Sequence, residues 1–198
     1  MKKYVLPKLN YDYNALAPHI SEEQLRLHHE KHHRAYVDNA NKIIEQIEQS
    51  RKDKSDLDLK SALKFLSFNL GGHLLHSIFW QIMSPLKENE PKGEILEAIK
   101  DNFNSFERFK DEFSKTALSV EGSGWAVLAY EKESGRLILG QLEKHNLFLY
   151  PNSEIVMALD VWEHSYYLDY KNDKAKFIEN FWNIVDFKEV EKNLEALL

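Results

Sequence analysis

Two long helical segments joined by a short charged stretch constrain the fold of this 198-residue chain more than any other feature. The first opens with Ser21-Glu22-Glu23-Gln24, which has the sequence of a capping box, and continues to about Gln49. The second runs from about 57 to 83 and stops before Pro85. The polar residues 50–55 between them are predicted to form a solvated turn. Two long helices joined by a short turn predict an antiparallel helical hairpin.

The second half of the chain has a different character. The segment 85–93 is predicted to be a linker between an N-terminal domain, residues 1–86, and a C-terminal domain, residues 92–198. The predicted elements after the linker are helices over 95–99 and 103–118, strands over 125–130, 137–142 and 155–159, and helix again from about 163. With an irregular arm over 1–20, the sequence predicts an α+β fold. An N-terminal antiparallel helical hairpin is followed by an α/β domain with a small three-stranded antiparallel sheet.

The charge and composition argue against several classes of partner. A formal net charge of −6 gives no basic footprint for nucleic acid. No apolar run approaches the ~20 residues of a membrane helix, and the short apolar run before Pro7 does not resemble a signal peptide. We therefore expect a cytoplasmic protein that binds neither nucleic acid nor a membrane. Because the chain has no cysteine, any metal must be held by histidine and carboxylate.

Four of the nine histidines lie within six residues of the first predicted helix. Because an α-helix advances about 100° per residue, His28, His32 and Tyr36 share one stripe, and His29 and His33 share the next. The first two of these histidines could bind one metal together, or one could bind while the other supports it. The alternative is a polar helix face that is rich in histidine by chance.

Two further clusters carry groups able to bind a metal. Asp160 follows an apolar run at the predicted end of a strand, and His164 lies about one turn later, so both could reach one ion. The alternative role for Asp160 is the N-cap of the following helix. In the other cluster, Gly71 and Gly72 lie inside a predicted helix beside His73 and His76. For either histidine the alternative is a lone core residue. A glycine inside a helix costs about 1 kcal/mol, which indicates close approach by another backbone or a large ring.

Two other classes of metalloenzyme are considered and disfavoured. His29-Glu30-x-x-His33 has the form of a zinc-protease motif with Glu30 as the base. Its extended form requires Gly and His at positions that hold Tyr36 and Asn39, although a distant Glu ligand stays open. A di-iron bundle needs two Glu-x-x-His motifs, and the sequence has one. Both interpretations leave the remaining clusters without a role.

Four motifs follow one another along the chain. They are Leu-His-His-x-Lys-His-His-x-x-Tyr-Val at 27–37, Gly-Gly-His-x-x-His-Ser-x-Phe-Trp at 71–80, Gly-Ser-Gly-Trp at 122–125 and Asp-Val-Trp-Glu-His-x-Tyr-Tyr at 160–167. In this order they resemble the iron/manganese superoxide dismutase family over nearly the whole chain, and Phe181-Trp-Asn-Ile-Val185 is similar to its C-terminal pattern. The fold implied by the resemblance, a helical hairpin and then an α/β domain, agrees with the fold predicted above.

The resemblance implies the ligands and the reaction. It implies that His28, His76, Asp160 and His164 bind one iron or manganese ion per chain, with iron slightly favoured. The implied reaction converts two superoxide anions to O₂ and hydrogen peroxide by one-electron cycling of that ion. Zinc cannot change its oxidation state in this way, whereas histidine and carboxylate suit iron and manganese.

The resemblance also implies roles for the residues around the ion. His32 and Tyr36 match the pair at the substrate entrance that serves proton transfer, which leaves His29 and His33 as structural residues. Trp80, Trp125 and Trp162 match the aromatic wall of the site. Glu163 and Tyr167 match residues that reach across a subunit interface, which implies a homodimer or a homotetramer.

Two positions depart from the commonest family patterns. The family usually places a glutamine against the metal-bound solvent, at the position of either Gly72 or His145; here His145 resembles the members that use histidine, and its alternative is a surface loop residue. Lys174 stands where many members have arginine, so it is a candidate with Lys31 and Arg34 for steering an anion. The rival interpretation is a metal-binding or structural helical protein without activity. The presence of Tyr36 and His145 favours the enzyme.

Overall fold

The computed structural model describes residues 3–85 and 89–198, so residue 86, the predicted end of the N-terminal domain, lies outside the described residues. The N-terminal half contains α1 (Glu22–Leu27), a π-helical segment (His28–His33), α2 (Arg34–Asp53) and α3 (Leu59–Gln81). Helices α2 and α3 pack against each other, so the predicted hairpin is confirmed. The described part of the arm that precedes α1 contains turns but no helix or strand, as predicted.

In the C-terminal half, helices precede and follow the three strands along the chain. Its elements are α4 (Gly93–Phe103), α5 (Phe106–Ser119), β1 (Gly124–Glu131), β2 (Arg136–Glu143), β3 (Ser153–Asp160), α6 (Glu163–Tyr170), α7 (Lys174–Phe181) and α8 (Phe187–Glu195). The strand order is β2-β1-β3 and both pairings are antiparallel, which confirms the predicted sheet. In this register Trp125 pairs with Leu142 on one side and with Asp160 on the other. The sheet therefore places the end of β3 beside a buried tryptophan.

The capping box at the start of α1 forms only in part. The Ser21 side chain accepts a hydrogen bond from the Gln24 backbone N–H at 3.1 Å, as predicted. The Gln24 side chain does not return to the Ser21 backbone. The Ser21 N–H instead donates to the Asp169 carboxylate at 2.8 Å, and the Gln24 amide donates to the His164 carbonyl at 2.7 Å. Tertiary partners on α6 have replaced the local one.

The first helix is also less regular than its sequence predicts. Between His28 and His33 the backbone is π-helical, and the Arg34 N–H bonds to the His29 carbonyl five residues earlier. The prediction of one uninterrupted α-helix with 100° per residue was therefore wrong in this segment. Such π-helical insertions are rare and occur often at functional sites. Within this segment His28, His29 and His33 are buried and His32 is exposed.

The charged stretch 50–55 was wrongly predicted to be entirely a turn. Helix α2 continues to Asp53, and Lys54 then takes a left-handed conformation with φ of 57°. Arginine and lysine are good helix formers and are favourable near a helix C-terminus. The chain reverses only where the Asp53 carboxylate accepts the Ser55 N–H at 2.9 Å.

The two halves are joined by one continuous hydrophobic core and by backbone hydrogen bonds. At the end of α3, the Ser84 N–H donates to the Ile184 carbonyl at 2.8 Å, and the Asp186 N–H donates to the Ile82 carbonyl at 2.7 Å. The segment that precedes α8 is thus fixed to the hairpin. Among the described helices, none has the length and apolarity required to cross a membrane.

Candidate metal centre

Four side chains from four different elements converge inside the protein. His28 comes from the π-helical segment, His76 from α3, Asp160 from the end of β3 and His164 from α6. One possible ligand atom from each lies within 4.8 Å of all the others. The first three side chains are buried, and that of His164 is 13% exposed. Elsewhere in the ranges 3–85 and 89–198, no other group of three or more histidine or carboxylate side chains has this geometry.

One oxygen of Asp160 lies at the centre of this cluster. Its Oδ2 atom is 3.1 Å from His28 Nε2, 3.4 Å from His76 Nε2 and 3.2 Å from His164 Nε2. The other oxygen, Oδ1, accepts the Trp162 backbone N–H at 2.9 Å. Because α6 begins at residue 163 with Trp162 in the N-cap position, the alternative role of Asp160 as that N-cap was wrong.

The contacts of His76 indicate that a cation belongs in the cluster. Its Nδ1–H donates to the Gly72 carbonyl at 2.6 Å, so the neutral ring has a lone pair on Nε2. This Nε2 is buried, has no hydrogen-bond partner among the described residues and faces the Asp160 carboxylate. Two acceptors that face each other away from water repel each other. A cation bound to both atoms removes the conflict, so the residues present are suited to a metal ion.

The protonation states favour the same conclusion. Burial lowers the pKa of His28 to about 4 and that of His76 well below its usual value, so both rings are neutral near pH 7. Burial alone would raise the pKa of Asp160, but the interaction with His164 and the hydrogen bonds from His164 and His28 lower it below its usual value. The cluster therefore offers imidazole lone pairs and one carboxylate anion, a donor set that suits iron and manganese.

His29 and His33, which belong to the first group of four histidines, lie outside this site. His29 Nε2–H donates to the Pro7 carbonyl at 2.9 Å, and its Nδ1 accepts the Tyr13 hydroxyl at 2.8 Å. His33 Nδ1 accepts the Trp80 indole N–H at 2.9 Å. The structure therefore argues against the zinc-protease interpretation, which requires both rings on one ion.

His145 is buried beside the cluster. Its ring stacks on Trp162, with ring centres 4.6 Å apart, and lies 4.6 Å from the Tyr36 ring. Its Nδ1 accepts the Trp125 indole N–H at 3.0 Å, so the proton of the neutral ring is on Nε2. Burial lowers the pKa of His145 to about 4 and keeps the ring neutral. Its Nε2 has no hydrogen-bond partner in the part of the chain that the structure describes, so a buried donor is available to a ligand in the site.

The two glycines of α3 make room for these side chains. A Cβ at Gly71 would lie 2.2 Å from the backbone oxygen of His145, and a Cβ at Gly72 would lie 2.8 Å from the Tyr36 ring. Real Cβ atoms do not approach other atoms so closely. The prediction that another backbone or a large ring lies against this helix is therefore confirmed, since one glycine accommodates each.

Tyr36 and His32 flank the cluster on its more accessible side. The Tyr36 ring centre is 5.2 Å from that of His76, and the pKa of Tyr36 is raised by burial and by the nearby Asp160. The His32 ring stacks on His164 with centres 4.3 Å apart. The side chain of His32 is exposed, so it lies between a residue of the cluster and solvent.

Three tryptophans surround the cluster. Trp80 lies 4.7 Å from His28, Trp125 lies 5.0 Å from His76 and Trp162 lies 5.3 Å from His164, measured between ring centres. These are the residues that the resemblance implied. They limit water on most sides of the cluster.

A cavity of about 620 Å³ opens beside Tyr36 and Trp162. Lys64 and Lys144 line it together with Phe68, and none of the described residues that line it carries a carboxylate. The sequence analysis did not single out either lysine. A lysine in an ordinary helix or strand end gives no signal of its own, and only the folded chain brings these two to one cavity.

The three cations proposed from the sequence do not line this cavity. Lys174 Nζ donates to the Val120 carbonyl at 3.0 Å, and burial lowers its pKa. Arg34 lies against a different cavity, beside His29. The proposed role of Lys174, Lys31 and Arg34 in steering an anion thus has no support from the cavity.

Glu163 and Tyr167 lie on the outer face of α6. Both side chains are exposed in the single chain. Glu163 directly precedes the clustered His164 and is directed away from the cluster. Both side chains are therefore available to another molecule.

A buried cluster of three histidines and one aspartate, contributed by a helical hairpin and an α/β domain, has the donor set of a mononuclear non-haem metalloprotein. The family model for the iron/manganese superoxide dismutase α-hairpin domain matches residues 3–84, and that for the C-terminal domain matches residues 91–193. The chain belongs to the iron/manganese superoxide dismutase family.

Curated relatives cover the chain from end to end. It is 52% identical to a superoxide dismutase [Fe] of Methanothermobacter thermautotrophicus, with 100% of this chain and 97% of the relative covered. It is 44% identical to a superoxide dismutase [Mn/Fe] of Aeropyrum pernix, covering 100% and 93%, and 41% identical to a superoxide dismutase [Mn] of Mycolicibacterium smegmatis, covering 99% and 95%. Relatives named for either metal are thus similar to this chain.

Replacing any one of the four clustered side chains with alanine should remove most of the bound iron or manganese, because each supplies one donor atom. Elemental analysis of the folded protein measures the effect. His29→Ala and His33→Gln are the matched controls and should keep the metal. Metal loss in these controls, with retention in His28→Ala, would contradict the assignment and restore the zinc-protease interpretation.

Proposed function

We propose that this chain is a superoxide dismutase that uses one iron or manganese ion held by His28, His76, Asp160 and His164. The observation that carries the assignment of these ligands is the buried His76 Nε2 lone pair facing the Asp160 carboxylate. Family membership supports the reaction, in which two superoxide anions and two protons give O₂ and hydrogen peroxide. Iron is favoured because the relative at 52% identity is named for iron.

When bound, the ion supplies one-electron chemistry, which zinc could not provide. The protein supplies a fixed charge and a restricted space. The Asp160 carboxylate would help to hold the ion and, as a fixed negative charge, would favour its more positive state. The neutral rings of His28 and His76 would add no charge, and the tryptophan wall limits competing water, which tunes the potential.

Protons are held and delivered by three side chains. The raised pKa of Tyr36 keeps its hydroxyl protonated near pH 7, so it is a donor. The Nε2–H of His145 donates a hydrogen bond to solvent or substrate in the site, in the place where the family usually has glutamine. His32 connects this region to bulk water, because it is exposed and stacks on His164.

Superoxide enters through the cavity beside Tyr36 and Trp162. The overall charge of the chain is negative, which repels an anion at long range. Lys64 and Lys144 give the cavity a local positive potential that opposes this repulsion.

A homodimer or homotetramer is proposed in which Glu163 and Tyr167 contact a second subunit. A ligand histidine usually donates its other ring N–H to a carboxylate or a carbonyl, which fixes its orientation. Glu163 cannot easily serve its own His164, so the other subunit's copy is the expected acceptor. By two-fold symmetry the contact is made twice.

The division into domains of residues 1–86 and 92–198 is likewise proposed, supported by the family-model matches over 3–84 and 91–193. A cytoplasmic location stays a prediction of the sequence.

The rival function, a metal-binding protein without activity, is tested by superoxide removal. Pulse radiolysis should show rapid decay of superoxide with iron- or manganese-loaded protein and no acceleration with the metal-free protein or with zinc-loaded protein. A fully loaded protein that leaves the decay unchanged would establish the rival.

His145→Gln should keep activity while changing the redox potential or the preferred metal, because an amide replaces the ring N–H as donor. His145→Ala should lower the rate by roughly 10- to 100-fold, the range for groups that support a metal site. Potentiometric titration and activity per bound metal measure both effects. Unchanged potential and activity in His145→Ala would contradict the role.

Glu163→Ala should weaken subunit association and, in the same protein, lower metal occupancy or activity. Sedimentation together with metal content across a dilution series tests this coupling. Glu179→Ala, which removes an exposed carboxylate from α7, is the control. A Glu163→Ala protein with wild-type association, metal and activity would show that Glu163 makes no such bridge.

Lys64→Gln with Lys144→Gln should lower the second-order rate constant for superoxide severalfold at low ionic strength, and the difference should narrow as salt screens the charges. Lys60→Gln, on the same helix but outside the cavity, is the control. If the double variant and the wild-type protein had equal rate constants and equal salt dependence, entry of superoxide beside these lysines would be excluded.

A further inference from the structure

Gln24 connects the backbones of two of the clustered histidines. Its backbone carbonyl accepts the N–H of His28 at the end of α1. Its side-chain Nε2–H donates to the carbonyl of His164 on α6 at 2.7 Å. The Gln24 side chain is only 3% exposed, so this bond is shielded from water. One residue thus links a ligand from the N-terminal half to a ligand from the C-terminal half.

The local sequence predicts a different hydrogen bond for the Gln24 side chain. As the third residue of α1 in a capping box, its side chain would normally bond to the Ser21 N–H. The Asp169 carboxylate already accepts that N–H at 2.8 Å. The Gln24 side chain makes no capping bond, and its amide N–H donates to the ligand helix instead. In the part of the chain that the structure describes, two side-chain hydrogen bonds join the start of α1 to α6, and only the one from Gln24 reaches a ligand residue.

The ligand helix depends on such external support. Helix α6 has eight residues, and no side chain caps its N-terminus. His164 is its second residue, where a short helix frays first. The His28 and His164 rings nevertheless lie 4.8 Å apart, with both Nε2 atoms within 3.2 Å of Asp160 Oδ2. A shift of α6 along α1 would change this separation directly.

We propose that Gln24 is a positioning residue that sets the spacing of His28 and His164, and so the geometry at the metal ion. This rests on the proposed metal site. It acts through backbone groups, so it leaves the ligand side chains and their charges unchanged. Its loss should distort the coordination and speed metal release without removing any ligand.

The test compares Gln24→Met with Asp169→Ala in the iron-loaded full chain. Methionine has a similar length to glutamine and no donor, so only the bond to the His164 carbonyl is lost. The Asp169 variant loses the neighbouring contact between α1 and α6, which does not act on a ligand. The measurements are the electron paramagnetic resonance spectrum of the ferric protein, the rate of iron loss to a chelator and thermal unfolding of the metal-free protein.

Gln24→Met should change the ferric spectrum and release iron at least about tenfold faster, the lower end of the range for groups that support a metal ligand. Asp169→Ala should keep the wild-type spectrum and release rate even where its unfolding temperature falls. Identical spectra and release rates in all three proteins, or equal changes in both variants, would overturn the proposal.

Gln24→Asn, which keeps the amide but shortens it by one methylene, serves if the methionine variant does not fold, with the same outcomes. A wild-type protein that binds iron without removing superoxide would refute the proposed function. The spectra and release rates would still decide the role of Gln24.

Discussion

The buried carboxylate of Asp160 is the constraint on which the rest of the structure depends. An isolated charge without exposure to water is strongly unfavourable, and the neutral rings of His28 and His76 compensate it only in part. His76 donates its only proton to a backbone carbonyl, so it offers the carboxylate a lone pair and no proton. The site is therefore complete only with a cation.

The ligands come from four elements, so the surrounding backbone must hold each of them independently. The pairing of β3 with β1 places Asp160 beside Trp125. His28 is buried within the π-helical segment, and Gln24 of α1 donates to the His164 carbonyl. Local irregularities and contacts between the halves converge on one cluster of possible metal ligands. A small displacement of any element changes the whole ligand set.

Two glycines of α3 leave room for groups that approach the cluster. Gly71 and Gly72 remove two Cβ atoms so that the His145 backbone and the Tyr36 ring can approach the cluster. Each glycine weakens α3 by about 1 kcal/mol. The space they leave accommodates a neutral histidine, whose Nε2–H is buried beside the cluster, and a tyrosine that keeps its proton because its pKa is raised. Two residues that destabilise α3 thus provide the space that the site requires.

The hairpin and the three strands could be predicted from the sequence, because they follow from short-range signals such as caps, periodicity and turn residues. The choice of His28, His76, Asp160 and His164 as ligands came from the resemblance of the motifs to the family. Only the tertiary structure decided that residues 28–33 are π-helical and that Gln24 leaves its capping role. It also decided that Lys64 and Lys144 meet at one cavity. The contacts of Gln24 and of the two lysines depend on partners distant in sequence, such as the His164 carbonyl that accepts the Gln24 amide N–H, and a local pattern does not contain them.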